Sequence, residues 1–379
     1  MDTVWVTRVE QLEDYREQWH DLAIRMGRPY SLPAWQLAWW RHAAPKASQL
    51  RVLLVLDGSE LAAVGPFFLD RWRGLSRLRL LGAGTSSAVE ALVRPGFERS
   101  LAGALQTALT KERLADLVML EGTPASDGWL ESFTGLCRGS QAPLHAVGSW
   151  TQPSPIVTLS EGGFDAWFAA KGSKFRARIR RGARQLESLG GGHRLVSDTD
   201  SVSRAISAFE TLHERRWKAR GGSDVLTTGV GRLLREFAAS SPENLRIWTV
   251  EVEGRPISVQ IFLVAGGTVS HWLGGLDDSF QQLRPGAGVQ SLQVALEHAW
   301  RSGDRLFDFG AGGQEHKYRF ADSEIQLLHT SMCRSRLHSG LIRLGEAPSL
   351  LRRELSRKLP SSAKRRIRSL LRRVQVSDD

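Results

Sequence analysis

Two stretches of this chain repeat. LRVLLVLDGSELAAVGPFFL (50–69) and LRIWTVEVEGRPISVQIFLV (245–264) each open Leu-Arg-aliphatic, run as a strand, turn at Asp57-Gly58 or Glu253-Gly254, and return on a second strand. An acid-glycine pair between two apolar runs predicts a two-residue hairpin turn, because glycine accepts the positive φ that such turns need. A second pair follows in the same order. RPGFERSLAGALQTALTKERLADLVMLEG (94–122) and RPGAGVQSLQVALEHAWRSGDRLFDFGAG (284–312) each read Arg-Pro-Gly, a helix containing Leu-Gln-x-Ala-Leu, a polar turn, and an apolar strand ending in glycine. The offsets, 195 and 190 residues, are nearly equal, so the chain holds two copies of one α/β unit. The predicted boundaries are 1–147 for the first copy, a Pro/Ser-rich linker at 148–157 (within GSWTQPSPIV), 158–335 for the second copy, and a basic tail at 336–379.

The 379 residues suffice for two such units, and 41% apolar residues supply a core. The N-terminus carries acids and no apolar core of a signal peptide, and no run of 18 apolar residues exists, so a cytoplasmic protein is expected. Cys137 and Cys333 form no motif and read as reduced thiols, and no Cys/His cluster has zinc spacing, so no metal is expected. The net charge of +11 is concentrated: residues 171–184 hold seven Lys/Arg and no acid, and residues 341–379 hold eleven against four acids. Cations gathered in two places predict an anionic partner there: a phosphate-bearing cofactor, RNA or a lipid surface.

The segment RPGAGVQSLQ (284–293) joins a strand to a helix. The unpaired N–H groups at a helix N-terminus favour an anion, and glycines let it approach, so Arg284, Gly286, Ala287, Gly288 and Val289 form a candidate pyrophosphate cradle. The first copy has Phe97 and Glu98 instead, and Glu98 would repel a phosphate. The asymmetry predicts a working second copy and a degenerate first one.

Strand, Arg/Gln-x-x-Gly-x-Gly loop and helix together resemble the acyl-CoA signature of the GNAT N-acyltransferase superfamily. The basic helix from Lys174 to Arg184, the Leu212-His213-x-x-Arg216-Trp217 stretch and the ending FDFGAGGQEHKYRF resemble its CelD-like, Fem-related branch, in which two GNAT-like units share one chain. One departure is Leu283, which stands where that loop would start with Arg or Gln. The resemblance implies an α/β (mixed α+β) fold of tandem GNAT-like units, each a mostly antiparallel mixed sheet flanked by helices. It implies acetyl-CoA or another acyl-CoA as co-substrate and direct attack by a primary amine, with the 271–275 strand polarising the thioester.

Three residues are candidates for the chemistry. Asp308 interrupts an apolar strand, where an unpaired carboxylate is costly, so it is a general base, a partner that orients Lys317, or a turn cap. Lys317 would bind a phosphate or polarise a carbonyl, and the resemblance implies a lysine there. His271, on the strand expected to flank the acyl group, is a candidate proton acceptor or a structural histidine. Lys174, Arg216, Trp217, Asp277 and Tyr318 are candidate substrate contacts, with a solvated cationic face or a turn as the plain reading of several.

The tail segment AKRRIRSLLRRVQV (363–376) places Ile367, Leu370, Leu371 and Val374 on one face among cations, which predicts a basic amphipathic helix. Residues 350–376 therefore suit peripheral contact with the inner face of a membrane, or docking on an acidic patch. No motif for sequence-specific nucleic-acid recognition is present. The acceptor class is an amine on a sugar, a lipid or a cell-envelope or polysaccharide precursor. The alternatives are a Fem-like transferase that takes its acyl group from aminoacyl-tRNA, which ranks lower without an evident coiled-coil arm, and a non-catalytic anion- or membrane-binding pair.

Overall fold

The computed structural model describes residues 2–137, 144–159, 162–218, 229–283, 286–335 and 339. Arg284 and the amphipathic segment at 363–376 lie outside the described residues. The first half runs through strand β1 (Asp2–Val6), a 3-10 turn (Val9–Tyr15), helices α1 (Arg16–Met26) and α2 (Pro33–His42), and strands β2 (Gln49–Asp57), β3 (Glu60–Trp72), β4 (Leu75–Leu80) and β5 (Leu92–Val93). Helix α3 (Glu98–Thr110), strand β6 (Leu117–Pro124), helix α4 (Gly128–Leu136) and strand β7 (His145–Thr158) complete it. The second half contains α5 (Gly163–Ala170), α6 (Ser173–Ser188), β8 (Gly191–Val196), α7 (Thr199–Lys218), α8 (Val230–Ser240), β9 (Leu245–Val252), β10 (Arg255–Ala265) and β11 (Thr268–Leu276). It ends with α9 (Ala287–Arg301), β12 (Leu306–Asp308), α10 (Glu315–Tyr318) and β13 (Ser323–Cys333).

Both hairpins form where the acid-glycine turns predict them. In the second, Glu253 (φ 52°) and Gly254 (φ 75°) both take positive φ, the backbone whose twist matches that of the flanking strands. The strands join one mixed sheet in the order β1-β2-β3-β4-β6-β13-β7-β12-β11-β10-β9-β8, with β5 paired to β3. The duplication is visible in this order. In the first half β4 pairs in parallel with β6, and in the second β11 pairs in parallel with β12. The next strand on each side comes from the other half: β13 lies beside β6, β7 lies beside β12, and the two pair with each other at the centre.

This exchange corrects one expectation. Residues 148–157 are no linker but the body of β7, paired with β13 along its length and with β12 at Ile156–Thr158. Pro153 and Pro155 fit because each carbonyl accepts a bond on the β12 side, from Gly312 N (2.7 Å) and Phe309 N (3.0 Å). The missing N–H groups fall on that same side, where β12 has ended and no ladder bond is lost.

Trp35 and Trp39 of α2 are fully buried on the sheet's inner face, and Trp35 meets Phe237 and Trp272 edge-on at 5.3 and 5.1 Å. This inner cluster is shared by α1, α2, α7 and α8. The outer face carries one cluster for each half, around Phe67, Trp129 and Phe133, and around Trp167, Phe307 and Phe320. Helix α6 buries Ile179, Gly182 and Leu186 and leaves most of its cations exposed, as its spacing predicts. No helix among the described residues is long and apolar enough to cross a membrane.

Candidate active site

β11 and β12 run side by side only from Thr268 to Ser270 against Leu306 to Asp308. The chain after β12 then follows β7 through the Phe309 and Gly312 bonds, so among the described residues β11 beyond Ser270 pairs with no strand on that side. A bulge at the same point, where Ile261 faces Leu273 but Phe262 faces His271, makes Trp272 an extra residue of β11. The result is that β11 and β12 part beyond Ser270, with Tyr30 Oη and Gly310 reaching His271 O on β11. In the first half, where β4 and β6 part, residues 82–91 bond β6: Val89 N bonds Gly122 O (3.3 Å) and Thr123 Oγ1 bonds Val89 O (2.9 Å). At the opening of α3, Glu98 Oε2 accepts from Gly96 N (2.9 Å), so a carboxylate of the chain itself occupies the place of an anion.

Asp308 and Lys317 lie near one another where β11 and β12 part, and both are buried. Asp308 Oδ1 accepts from Ser154 Oγ (2.6 Å) and Gly310 N (2.8 Å), and Oδ2 accepts from Ser270 Oγ (3.3 Å). Burial raises its pKa, against the pull of those donors and of the Lys317 charge. Lys317 Nζ donates to the carbonyls of Gly310 (2.7 Å) and Ala311 (2.9 Å). Burial draws its pKa down to about 8, opposed by Asp308. An ammonium has three protons, so one is left over for a reacting group.

His271 stands beside them, with Nε2 2.8 Å from Gln260 Oε1. Burial first, then the Lys317 charge, brings its pKa down to about 3. It is therefore uncharged at neutral pH and a weak acceptor for the proton of an alkylammonium, whose pKa is roughly 10. The first half adds two residues to the cluster. Tyr30 Oη donates to His271 O (3.3 Å), and its ionisation is suppressed by burial and by Asp308, against a hydrogen bond from Ser87.

Along β11 from these residues the chain meets the start of α9. Helix α9 opens with Gly286 as N-cap, and a Cβ on Gly288 would lie 3.0 Å from Leu276 Cδ2, so Gly288 lets the helix start press on the end of β11. Ala287 and Val289 are half-buried in the same first turn. Arg216, on the last turn of α7, pairs with Asp278 (3.4 Å), and its neighbour Trp217 stands 5.8 Å from His213, ring to ring. Burial lowers the pKa of His316, with Lys317 and Arg216 adding to the effect.

Three predicted residues stand apart from this convergence. Tyr318 is 44% exposed and donates to Glu324 (2.5 Å) at the β13 margin. Asp277 caps its own turn through Ser279 N (3.0 Å) and pairs with Arg255, which is the plain reading of that residue. Lys174 lies exposed on the first turn of α6. Asp308 is a turn cap as well as a buried acid. Sequence reasoning misses Tyr30, Ser87, Ser154 and Ser270. Ser154 sits between the prolines of a segment that reads as linker, and nothing local ties Tyr30 to a strand 241 residues away.

Residues 173–318 match the family model described as an Acetyltransferase (GNAT) domain. The segment from α6 to α10 is therefore similar to a GNAT acetyltransferase domain. Solved structures that resemble the whole chain include the following three. FemX has a TM-score of 0.56 at 12% identity, over 87% of this chain and 97% of that one. A conserved protein of unknown function from Bacteroides thetaiotaomicron VPI-5482 gives 0.52 at 10% identity, over 88% and 100%. L-PGS from Bacillus licheniformis gives 0.50 at 13% identity, over 89% and 96%. At such identities the likeness is one of fold alone. No curated protein matches the chain.

Proposed function

We propose that the second half transfers an acyl group from acyl-CoA to a primary amine, and that the first half, roughly residues 1–147, is a non-catalytic copy that helps build the site. The donor's pyrophosphate sits on the N–H groups opening α9, and its thioester lies along β11. A backbone N–H of the 271–275 stretch and the spare Lys317 proton stabilise the carbonyl oxygen as the amine attacks. The C–N bond forms, the C–S bond breaks, the amine proton leaves through water or Asp308, and the departing thiolate takes up a proton. Asp308 and its three donors hold the turn that presents Lys317, and His271 acts as a neutral positioning group. Bringing two bound substrates together supplies much of the acceleration.

The observation that carries this reading is the contrast between the halves: where β4 and β6 part, loop 82–91 bonds β6 and Glu98 caps its own helix start, whereas where β11 and β12 part lie a buried acid and lysine, and the α9 start carries no acid. Calorimetric titration of acetyl-CoA into the protein and a Gly286→Glu variant tests it. Gly286 has an ordinary φ of −56° and open space around its missing side chain, so the variant should fold. Micromolar binding by the parent, weakened at least tenfold in the variant, is expected. No binding by the folded parent would remove acyl-CoA as the donor.

The exposed α6 cations, including Lys174, Arg178 and Arg181, favour a second donor, the aminoacyl-tRNA of a Fem-like transferase. Under that reading acetyl-CoA does not bind, charged tRNA does, and neutralising the α6 cations flattens the salt dependence.

A further inference from the structure

Side chains alternate along β10, so Ser258, Gln260 and Phe262 share its outer face. Phe262 belongs there to the apolar cluster that α9 covers with Leu292, Ala295 and Leu296. Ser258, Gln260 and Ser291 of α9 are buried in the same layer. Buried hydroxyl and amide groups cost free energy unless each is hydrogen-bonded.

Here each is bonded, and the bonds run in a single line. Ser291 Oγ donates to Ala287 O (3.0 Å) in the first turn of α9. A hydroxyl has one proton, so Ser258 is the donor where its Oγ meets Ser291 Oγ (3.0 Å). Ser258 in turn accepts from Gln260 Nε2 (3.0 Å), which aims Gln260 Oε1 at His271 Nε2 (2.8 Å). A carbonyl oxygen only accepts, so the proton of the His271 ring is on Nε2. Four hydrogen bonds of one polarity join the β11 bulge to the start of α9. Gln260 also lies against the far side of that bulge: a Cβ on Gly274 would be 2.2 Å from Gln260 Oε1, so only a missing side chain lets the amide rest across β11. From the inner face Trp272, the extra residue of the bulge, donates to Thr85 O (2.8 Å).

The first half supplies the comparison. At the repeat offsets of 195 and 190 residues, Ser258, Gln260 and Ser291 correspond to Ala63, Gly65 and Leu101. Ala63 and Leu101 are fully buried, and a Cβ on Gly65 would lie 3.2 Å from Leu101 Cδ1, so the same contact closes there with apolar groups alone. The fold therefore does without the polar line. What the line adds in the second half is direction, because a fully bonded chain admits one orientation of the amide and one tautomer of the histidine.

We propose that Gln260, Ser258 and Ser291 are positioning residues for acyl transfer: they brace the 271–275 stretch against the opening of α9, so that the donor's pyrophosphate and thioester are held at one spacing. The inference rests on the acyl-transfer reading and adds three residues that touch neither substrate.

The test uses the full chain labelled with ¹⁵N-histidine, with His271 assigned by its loss in His271→Gln. Long-range ¹⁵N–¹H correlation at neutral pH shows which ring nitrogen carries the proton, and thiol release from acetyl-CoA is followed with spermidine as the primary amine. The expected parent ring is protonated at Nε2. Ser291→Ala, which suits a helix, should fold and lose the single tautomer. Its kcat should fall by up to roughly 10²-fold, the scale of a misplacement of about 1 Å, with KM for acetyl-CoA nearly unchanged. Ser258→Ala should do the same, and the double variant should fall no further than the worse single one, since both cut one line. The triple variant Ser258→Ala, Gln260→Gly, Ser291→Leu copies the first half and should fold without regaining kcat. A tautomer that shifts in Ser291→Ala in a protein that releases no thiol would keep the brace and remove acyl-CoA as donor. A parent ring protonated at Nδ1, or a kcat unmoved by Ser291→Ala, would overturn the brace and leave acyl transfer standing.

Discussion

Lys317 is a cation held by carbonyls in a site that penalises charge. Burial takes its pKa from the ordinary lysine range down to about 8, and Asp308 keeps it from falling further. If the ammonium is the form that stabilises the reacting carbonyl, kcat falls as pH rises through about 8, where that proton is lost. Lys317→Met should lower kcat by roughly 10²–10³, the scale of one missing donor to a developing oxyanion, and should abolish this alkaline limb. Asp308→Asn removes the charge that raises the Lys317 pKa, so the limb should move to lower pH in a folded variant. A kcat–pH profile of the three proteins decides the matter, and a limb unmoved by Asp308→Asn would show that another group titrates there. Asp308 and Lys317 were legible in the sequence, because a carboxylate inside an apolar strand and a lysine after a glycine turn both break a local pattern. Tyr30 and Ser87 break none, and only the packing of the two halves brings them in.

The loop at 82–91 is the element on which both halves depend, and an acid pair anchors its end. Glu90 is buried, pairs with Arg28 (2.9 Å), and interacts with Asp127, the N-cap of α4. Burial pushes Glu90 up to about 7 and Asp127 up to about 6, despite Arg28. A carboxyl whose pKa is higher folded than unfolded binds more protons in the folded state, so its contribution to stability is full below the unfolded value near 4 and is lost as pH rises through the folded one. Thermal unfolding should therefore show extra stability at pH 5 relative to pH 8, and Glu90→Gln should flatten that difference. An unchanged pH dependence in Glu90→Gln would place its origin elsewhere. Among the elements, the hairpins and the helices α3 and α9 were readable because turn chemistry and 3.6-residue periodicity are local. β7 was not, since prolines in a strand read as linker until the neighbouring strand is known to have ended.

At the scale of the whole molecule, the two copies are tied together by the exchange of their last strands. β12 is only three residues long and is flanked by β11 of its own half and β7 of the other. β7 also supplies Ser154, the closest hydrogen-bond partner of Asp308, and its prolines bind the chain that carries Gly310 and Gly312. A fragment that starts after β7, at residue 162, would keep the whole GNAT-matching segment. It would leave β12 as an edge with apolar Phe307 beside an uncovered ladder, and would free Asp308 from its Ser154 bond. The prediction is that residues 162–379 alone aggregate or unfold, residues 1–159 alone likewise, and the two co-expressed associate into one particle with the thermal transition and acetyl-CoA binding of the intact chain. Size-exclusion chromatography with circular dichroism reads the outcome. A soluble, cooperatively folding 162–379 fragment that turns over acyl-CoA would mean that the first half is an appendage, and that β7, Tyr30 and Ser87 are dispensable to the chemistry.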